Sequence, residues 1–420
     1  MDCVVIGGGV AGMQAALSFR KSCPEKSVTL VENERDVGYY RTLLPQFMNR
    51  TMPENKLFFW QKLDDPHFRV ISGVRVESVQ RENRSLALSD GSQIHYRRLI
   101  IASGGRPIVP SVCEGTGIDG IFPVRNLTTA RAARDWLPQH PEVVIVGGGL
   151  VGVKTAAHLA GQGMSVTMVE KENHLLPQAL SSQAANLVEE HLLRKKVKLL
   201  LGSTIEDIQS KGGSVLAVKI SGQWLSCRTL FMAAGSVPEI TFLEESGLLK
   251  EGNLEVRRTL QTEDANIFAA GDAVTIVEHG SFTPWTWPQA AVQGQLAAQN
   301  LYSQAPASLS CLSRVNAMNL HGLSLVVLGI PVQGAERCVH ANPAAGVYRE
   351  LYHLDGKIVG GSLVGDITNA GKLHWMMNVG ERIETDFTEM LVPCVETFAK
   401  MSASCVNLNR RAVFLPPQGV

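Results

Sequence analysis

Two runs of consecutive apolar residues each end at three glycines, Val4–Ile6 near the N-terminus and Val144–Val146 further along the chain. An uninterrupted apolar run bounded by glycine is typical of a strand buried in a parallel sheet. A helical spacing of apolar positions follows each run, over Met13–Arg20 in the first case and Val153–Ala160 in the second. The pattern therefore predicts the same strand–helix unit twice, as an internal repeat.

Each predicted helix is followed by a second apolar strand that ends in a glutamate, Glu32 in the first copy and Glu170 in the second. The spacing G-x-G-x-x-G is formed by Gly7, Gly9 and Gly12 and again by Gly147, Gly149 and Gly152. In this spacing the first glycine permits a tight turn, the second lets backbone approach a pyrophosphate, and the third allows close helix–strand packing. The helix N-terminus offers N–H groups to phosphate, and the terminal carboxylate accepts hydrogen bonds from ribose hydroxyls. Two complete copies predict two dinucleotide sites in a Rossmann-type α/β fold.

The composition argues against several other classes of function. The 420 residues contain 39 Lys and Arg against 39 Asp and Glu, so no overall field favours nucleic acid or an anionic membrane. The basic run Arg194–Lys196 is interpreted as a solvated helix end. No apolar run is long enough for a bilayer span, and the first strand begins at Cys3, which leaves no room for a signal peptide. We therefore expect a cytoplasmic protein without integral membrane association.

The eight cysteines stand singly along the chain. No two form a Cys-x-x-Cys or Cys-x₄-Cys pair, so the sequence predicts neither a metal site nor a redox disulfide between close neighbours. We expect most of them to be small buried hydrophobic residues.

With these motifs in place, residues 1 to about 305 resemble the FAD-dependent pyridine nucleotide oxidoreductases, the superfamily of glutathione reductase. Further segments carry the resemblance: Thr262–Asp272, Leu99–Pro107, Leu230–Pro238 and Trp287–Ala291. The resemblance implies an FAD-binding domain at residues 1–107 and 241–305, an inserted NAD(H)-binding domain at 108–240, and a small α+β interface domain at 306–420. It also implies that Gly271 and Asp272 bind FAD, with Asp272 on a ribitol hydroxyl. Gln289 and Ala290 would lie where backbone N–H groups face the flavin pyrimidine.

The expected nicotinamide cofactor is NADH rather than NADPH. Glu170 would accept from the adenosine 2′-hydroxyl and would repel a 2′-phosphate. The next residue is Lys171, which weakens this argument because a cation favours the phosphate.

The segment Tyr39–Gln46 contains no sulfur, although disulfide reductases of this superfamily place their redox cysteines there. Its Tyr-x-Arg-x-x-Leu-Pro pattern resembles NADH:rubredoxin oxidoreductase and the flavin-binding half of assimilatory nitrite reductase. That resemblance implies that Arg41 lies against the FAD pyrophosphate. Residues 358–373 resemble the C-terminal domain of the same branch more loosely, which would put Trp375 or Lys372 near the acceptor entrance, unless Trp375 is a core residue.

The favoured function is hydride transfer between NADH and FAD, followed by one-electron exchange with a rubredoxin or ferredoxin-like iron–sulfur protein, in either direction. A type II NADH dehydrogenase or related quinone reductase is an alternative. Those enzymes usually carry a C-terminal amphipathic membrane helix, whereas here only 387–398 could be amphipathic and 407–420 is polar. A non-catalytic flavoprotein scaffold is the third possibility.

Two positions depart from the pattern of many relatives. Those relatives have a Lys after the Pro equivalent to Pro45, paired with a Glu two residues after the third glycine of the nucleotide motif. Here the two positions are Gln46 and Lys154. We expect Lys154 to lie by the flavin N5 edge and stabilise the reduced ring. The alternative is a lysine that points to solvent from the first turn of a helix, where a cation is mildly unfavourable.

Overall fold

The first repeat folds into a parallel sheet. The computed structural model describes residues 1–61, 64–277, 286–309, 315–329, 332–383 and 386–392. Its first elements are β1 (Cys3–Ile6), α1 (Val10–Ser22), β2 (Val28–Glu32), α2 (Leu44–Met48), β3 (Phe68–Ser72), β4 (Val76–Gln80), β5 (Ser85–Leu88), β6 (Gln93–His95), β7 (Arg98–Ile101) and β8 (Gly105–Pro107). Strand β1 lies between β2 and β7 with all three parallel. Every residue of β1 and β2 is buried, which explains why their sequences are apolar without alternation.

The second repeat gives a second sheet of the same kind. Its elements are β9 (Ile121–Pro123), α3 (Leu127–Trp136), β10 (Glu142–Val146), α4 (Leu150–Ala160), β11 (Ser165–Val169), α5 (Ser182–Arg194), β12 (Lys198–Leu200), β13 (Ile205–Lys211), β14 (Ser214–Ile220), β15 (Gln223–Ser226), β16 (Thr229–Met232) and β17 (Ser236–Pro238). The strand order is β12-β11-β10-β16-β9, and all of these strands are parallel.

The chain then returns to the first sheet. The returning elements are β18 (Leu249–Lys250), β19 (Asn253–Val256), β20 (Ile267–Ala269), β21 (Thr275–Ile276) and α6 (Trp287–Asn300). Strand β20 pairs with β7, so the first sheet has the order β20-β7-β1-β2-β3 and matches the second sheet strand for strand. The connecting strands β8 and β17 pair with each other in antiparallel fashion. The α/β fold with two Rossmann-type units is therefore confirmed, while the domain limits at 107, 240 and 305 stay predictions.

The C-terminal part is an antiparallel sheet with two helices. Its elements are β22 (Val315–Asn319), β23 (Ser324–Gly329), β24 (Glu336–Asn342), β25 (Val347–Leu354), β26 (Lys357–Val364), α7 (Ala370–Val379) and α8 (Phe387–Leu391). The order is β22-β23-β26-β25-β24. Alternate residues of a strand face opposite sides, so Leu325 and Val327 join the core of the second sheet. Val326 and Leu328 pack with the residues of α7 and α8 on the other face.

Helix α2 lies between β2 and β3 of the first sheet in the chain but packs into the core of the second sheet. Its residues Leu44, Phe47 and Met48 belong to the core that surrounds the second sheet, together with Val153 and Leu159 of α4. Because the two helices share this core, the segment that precedes α2 is held against the second glycine-rich unit. This packing positions the candidate site.

Candidate active site

The first glycine-rich loop has the geometry that a bound pyrophosphate requires. Gly7 has φ of +103°, and a Cβ there would lie 2.2 Å from the carbonyl oxygen of Ala102. A Cβ on Gly12 would lie 1.8 Å from the carbonyl oxygen of Gly7, so only glycine allows α1 to approach the loop this closely. A Cβ on Gly9 would meet nothing within 4 Å. The middle glycine therefore faces open space, as it must if a ligand is to lie against the backbone.

The second loop repeats this arrangement. Gly147 has φ of +105°, and its Cβ would lie 2.3 Å from the carbonyl oxygen of Ala233. A Cβ on Gly152 would lie 1.9 Å from the carbonyl oxygen of Gly147, whereas one on Gly149 would again meet nothing within 4 Å. Helices α1 and α4 begin at these loops without a side-chain cap and without an acidic residue in the first turn. Their N–H groups and partial positive charge are therefore available to phosphate.

The two terminal glutamates turn back into their own loops. Glu32 accepts hydrogen bonds from the N–H groups of Gly8 and Glu34, and Glu170 accepts from those of Gly148 and Glu172. Their residues are only 7% and 6% exposed. Burial raises the pKa of Glu32. Each carboxylate thus holds the shape of its glycine loop, and the predicted ribose contacts would use the lone pairs that remain.

Helix α6 meets α1 at a very close contact beside the first loop. A Cβ on Gly294 would lie 1.9 Å from the carbonyl oxygen of Ala11. Next to this contact, the N–H of Gly271 donates to Oε1 of the fully buried Gln293 at 2.7 Å. Gly271 has φ of +82°, and its Cβ would lie 3.0 Å from that of Ala11. The predicted Gly-Asp signature therefore lies directly against the first glycine-rich helix.

Asp272 forms an ion pair that the sequence did not indicate. Its Oδ2 lies 3.2 Å from Nη2 of Arg125, and both side chains are about one quarter exposed, 24% and 26%. Arg125 lies two residues after the end of β9 and belongs to no recognisable motif, so only the tertiary structure identifies it. A contact between Asp272 and the ribitol chain stays a prediction, and Arg125 is added to the residues beside that predicted contact.

Arg41 is anchored rather than solvated. Its Nη2 lies 2.6 Å from Oε1 of Glu34. Its Nη1 donates to the Tyr39 hydroxyl at 2.7 Å and to the carbonyl of Arg125 at 3.0 Å. The Tyr39 hydroxyl in turn donates to Glu34 and accepts from the N–H of Leu127. This network joins the segment before α2 to the start of α3, and the predicted pyrophosphate contact of Arg41 would have to be made from this fixed position.

Lys154 reaches across from the second unit to the first. Its Nζ donates to the carbonyl oxygen of Thr42 at 2.6 Å. Within the described ranges it has no carboxylate partner, and burial lowers the pKa of Lys154. The side chain therefore points at the segment 39–46 rather than to bulk water. Gln46 lies one helical turn further on, with a buried Oε1 that has no hydrogen-bond partner among the described residues.

Aromatic rings surround the start of α6. The Tyr40 ring lies 5.4 Å from that of Trp287 and 5.0 Å from that of Phe59, measured between centroids. The Trp287 Nε1 and the Thr286 Oγ1 are buried and have no partner within the part of the chain described. Unsatisfied buried polar groups are costly, so these donors fit a site that a polar ring system fills.

Gln289 and Ala290 both lie in the first turn of α6. The N–H of Ala290 already donates to the carbonyl of Thr286 at 3.0 Å, so a further bond to the flavin would be shared. The role of both residues stays a prediction.

Trp375 is not a core residue, and its position near the acceptor entrance stays a prediction. It is 41% exposed on α7, and α7 covers the face of the C-terminal sheet opposite to the one that joins the second unit. Residues 393–420, including the second half of the stretch 387–398, lie outside the described residues. No described helix has both the length and the apolar character needed to cross a membrane.

Three of the described cysteines, Cys3, Cys113 and Cys227, are buried. Burial raises the pKa of Cys113 to about 11 and that of Cys227 to about 12, and it also raises the pKa of Cys3. All five described cysteines are free. Cys311, Cys394 and Cys405 lie outside the described residues.

The chain is similar along most of its length to proteins named as oxidoreductases. It is 25% identical over 394 residues to the NADH oxidase of Methanocaldococcus jannaschii, and the matched region covers 87% of this chain and 88% of the relative. It is 25% identical over 333 residues to the rubredoxin-NAD(+) reductase of Pseudomonas putida, covering 77% and 86%. The crystal structure of a ferredoxin reductase from Rhodopseudomonas palustris superposes with a TM-score of 0.86 over 96% of this chain and 100% of that one, at 22% identity, which supports the fold. Residues 1–294 match the family described as pyridine nucleotide-disulphide oxidoreductase, and the chain belongs to that family.

Proposed function

We propose that the protein carries electrons from NADH, through FAD, to a small iron–sulfur protein of the rubredoxin or ferredoxin type. The observation that carries this proposal is the contact between Lys154 of the second glycine-rich unit and Thr42 of a segment that contains no sulfur. Bound FAD would supply the chemistry, since a flavin accepts two electrons together and can release them singly. A similar rubredoxin-NAD(+) reductase supports the choice of acceptor.

In this proposal each of the two glycine loops binds one dinucleotide. The open backbone at Gly9 fits the FAD pyrophosphate, and that at Gly149 fits the pyrophosphate of the nicotinamide cofactor. Arg125 holds Asp272 in place, and Asp272 would bind the ribitol chain. Arg41, fixed by Glu34, would offer its charge to the FAD phosphates.

NADH is the preferred donor in this proposal. The Glu170 carboxylate lies inside the second loop, where an adenosine 2′-hydroxyl could donate to it and a 2′-phosphate would be repelled. The adjacent Lys171 has a side chain that is 74% exposed and lies 3.6 Å from the Glu172 carboxylate. That pairing reduces the attraction of Lys171 for a phosphate.

Lys154 is proposed as the catalytic cation and Gln46 as its neutral neighbour. A positive charge beside the flavin stabilises negative charge that develops on the ring during hydride transfer. The contact with Thr42 directs the ammonium group toward the segment that covers the proposed flavin site. Gln46 provides hydrogen bonding without charge at the position where relatives carry a lysine.

The proposal is tested with purified protein under anaerobic conditions. We expect a yellow protein that releases FAD on denaturation, is bleached by NADH and passes electrons to an oxidised rubredoxin or [2Fe–2S] ferredoxin. A neutral quinone and oxygen serve as competing acceptors. Rapid NADH-dependent quinone reduction without reduction of either iron–sulfur carrier would contradict the proposal and favour the quinone reductase alternative.

Direct reduction of oxygen is a second candidate function. It is favoured by the similarity to a protein named NADH oxidase over 87% of this chain. Oxygen consumption that exceeds carrier reduction at equal acceptor concentration would make the oxidase the better description. For either acceptor, we propose that the reaction takes place in the cytoplasm.

A further inference from the structure

A local excess of positive charge lies at the end of α5. Arg194, Lys195, Lys196 and Lys198 fall within five residues, and no Asp or Glu occurs from His191 through Ile205. The whole chain has equal numbers of acidic and basic residues, 39 of each, so this excess must be balanced elsewhere on the molecule. The charge distribution is therefore asymmetric although the net charge is zero.

None of these four cations forms an ion pair with another described residue. Three of them, Arg194, Lys196 and Lys198, are exposed, and Lys195 is partly buried. On the preceding turn of α5, Glu189 is engaged by the N–H of Leu175, and Glu190 is exposed but does not pair with Arg194. The helix dipole favours basic residues at a C-terminus, which accounts for Arg194 and Lys195. It does not account for Lys196 and Lys198, which lie beyond the helix end.

Side-chain contacts connect the end of α5 with α4, the helix that carries Lys154. On α5, Nε2 of His191 lies 2.8 Å from the carbonyl oxygen of Leu320. Burial, together with the charges of Lys154, His321 and Lys195, lowers the pKa of His158 to about 4, so its ring is neutral near pH 7. The ring of His321 lies 5.8 Å from that of His158. Burial also lowers the pKa of His191, to which Lys195 and Arg194 contribute. These contacts place the end of α5 near the part of α4 that carries His158, and the positive charge there comes from the lysines and the arginine alone.

Lys154 is a further cation on α4. Its ammonium group contacts the carbonyl of the exposed Thr42, in the segment that covers the proposed flavin site. His158 lies one helical turn after Lys154 on α4, and its ring faces that of His321, which follows the Leu320 contacted by α5. A partner that binds along the positive residues would therefore lie on the side of the second unit that carries α4.

We propose that Arg194, Lys195, Lys196 and Lys198 form the docking surface for an acidic iron–sulfur carrier, which this surface guides toward Thr42. The proposal rests on the proposed function, because it names where the carrier binds. A surface of one sign raises the association rate of an oppositely charged protein by roughly 10- to 1,000-fold, and the effect falls steeply with salt. Single-electron transfer needs only a brief encounter, for which such guidance is well suited.

The test is a pair of charge reversals, Lys195→Glu with Lys196→Glu, assayed with an acidic [2Fe–2S] ferredoxin and separately with the neutral quinone menadione. Lys196 has a positive φ of 63°, so a second variant, Arg194→Glu with Lys198→Glu, leaves that backbone position unchanged. The control is Lys211→Glu, an exposed lysine on a hairpin of the same unit. Each is measured at an ionic strength of about 0.01 M, where the Debye length is about 30 Å, and at about 1 M, where it is about 3 Å.

We expect both double variants to raise the KM for ferredoxin at least about tenfold at low salt, with no difference at high salt. Menadione reduction and the Lys211→Glu control should match the wild type. An unchanged ferredoxin KM in both variants, while the wild type reduces ferredoxin, would overturn the docking surface alone. A wild type that reduces menadione but not ferredoxin would overturn the proposed function. Salt-sensitive binding to vesicles of anionic phospholipid, combined with an unchanged ferredoxin KM, would assign these cations to a membrane surface and overturn the proposal.

Discussion

Lys154→Met removes the proposed catalytic charge and keeps most of the side-chain volume. In the native protein the ammonium group donates to the Thr42 carbonyl at 2.6 Å and has no carboxylate within ion-pair distance in the described chain. Its charge is therefore not neutralised locally and remains effective toward a reduced flavin. A hydrogen bond to a charged group contributes about 1.5–3 kcal/mol. If this contribution is made in the transition state, its loss slows flavin reduction by about ten- to a hundredfold.

The pH dependence of flavin reduction provides a second test of the charge on Lys154. Burial lowers the pKa of Lys154, so the ammonium form is lost as the pH rises through that lowered value. We expect the rate of flavin reduction to fall over the same pH range. Lys154→Arg should keep its rate at high pH because a guanidinium group does not titrate in proteins. Lys154→Met should be slow at every pH and should not show this decrease.

The assay is anaerobic stopped-flow reduction of the bound flavin by NADH, with the dissociation constant for NADH obtained from the concentration dependence. The control is Lys171→Met, which removes a lysine with a 74% exposed side chain in the same unit. Thermal unfolding of each variant separates a chemical effect from a loss of stability. Lys154→Glu combined with Gln46→Lys should recover part of the rate. A Lys154→Met protein with normal stability that reduces its flavin at the wild-type rate would refute the reasoning.

Three further predictions follow from individual contacts. Gly9→Val should fold but be colourless, since its side chain would occupy the open space of the proposed FAD site. As a comparison, Gly12→Ala should lower the thermal unfolding temperature, because its Cβ would lie 1.8 Å from a carbonyl oxygen. Full FAD content in Gly9→Val would contradict the assignment of the FAD site. Glu170→Ala should reduce the preference for NADH over NADPH in kcat/KM by roughly tenfold, equivalent to about 1.4 kcal/mol, and a wild type that already prefers NADPH would show this reading to be wrong. His158 has a pKa of about 4 in the folded protein against 6.5 as its ordinary value, so the folded state resists protonation. Stability should be complete above about pH 6.5 and decline by at most about 3 kcal/mol as the pH falls to 4; in urea titrations His158→Gln should flatten that decline.

The sequence predicted those parts of the fold that depend on local spacing. The glycine triplets and apolar runs define the two units because the turn, the close packing and the buried parallel strand each impose a residue type at a fixed position. The steric test at Gly12 and Gly152 gives the reason, since any side chain there would overlap the loop that precedes it. The correspondence of the two sheets strand for strand follows from the same repeat.

The contacts that complete the candidate site could not be predicted in this way. Arg125 lies 147 residues before its partner Asp272 in the chain, and no motif marks it. The burial of α2 in the core of the second sheet depends on a surface formed by distant residues. In the sequence, Lys154 stands out only because it departs from the pattern of relatives. Its contact with Thr42 depends on the packing of α2 against α4, which the sequence does not reveal. In each case the missing information is a long-range contact rather than a local preference.

The family takes its description from disulphide chemistry, yet this chain has no cysteine in the segment 39–46, where redox cysteines are expected from the resemblance. Disulfide exchange needs a thiolate near the flavin, and the segment 39–46 contains no sulfur. Among the described cysteines, Cys113 and Cys227 belong to one buried cluster and are kept protonated by burial, at pKa values of about 11 and 12. If no thiol accepts electrons from the flavin, an electron must leave through a surface that another molecule can reach. Thr42 is exposed and accepts a hydrogen bond from Lys154. In the proposed function, the sulfur-free segment and the lysine that contacts it act together, because the second half of the reaction then takes place at a surface that an acceptor protein can reach.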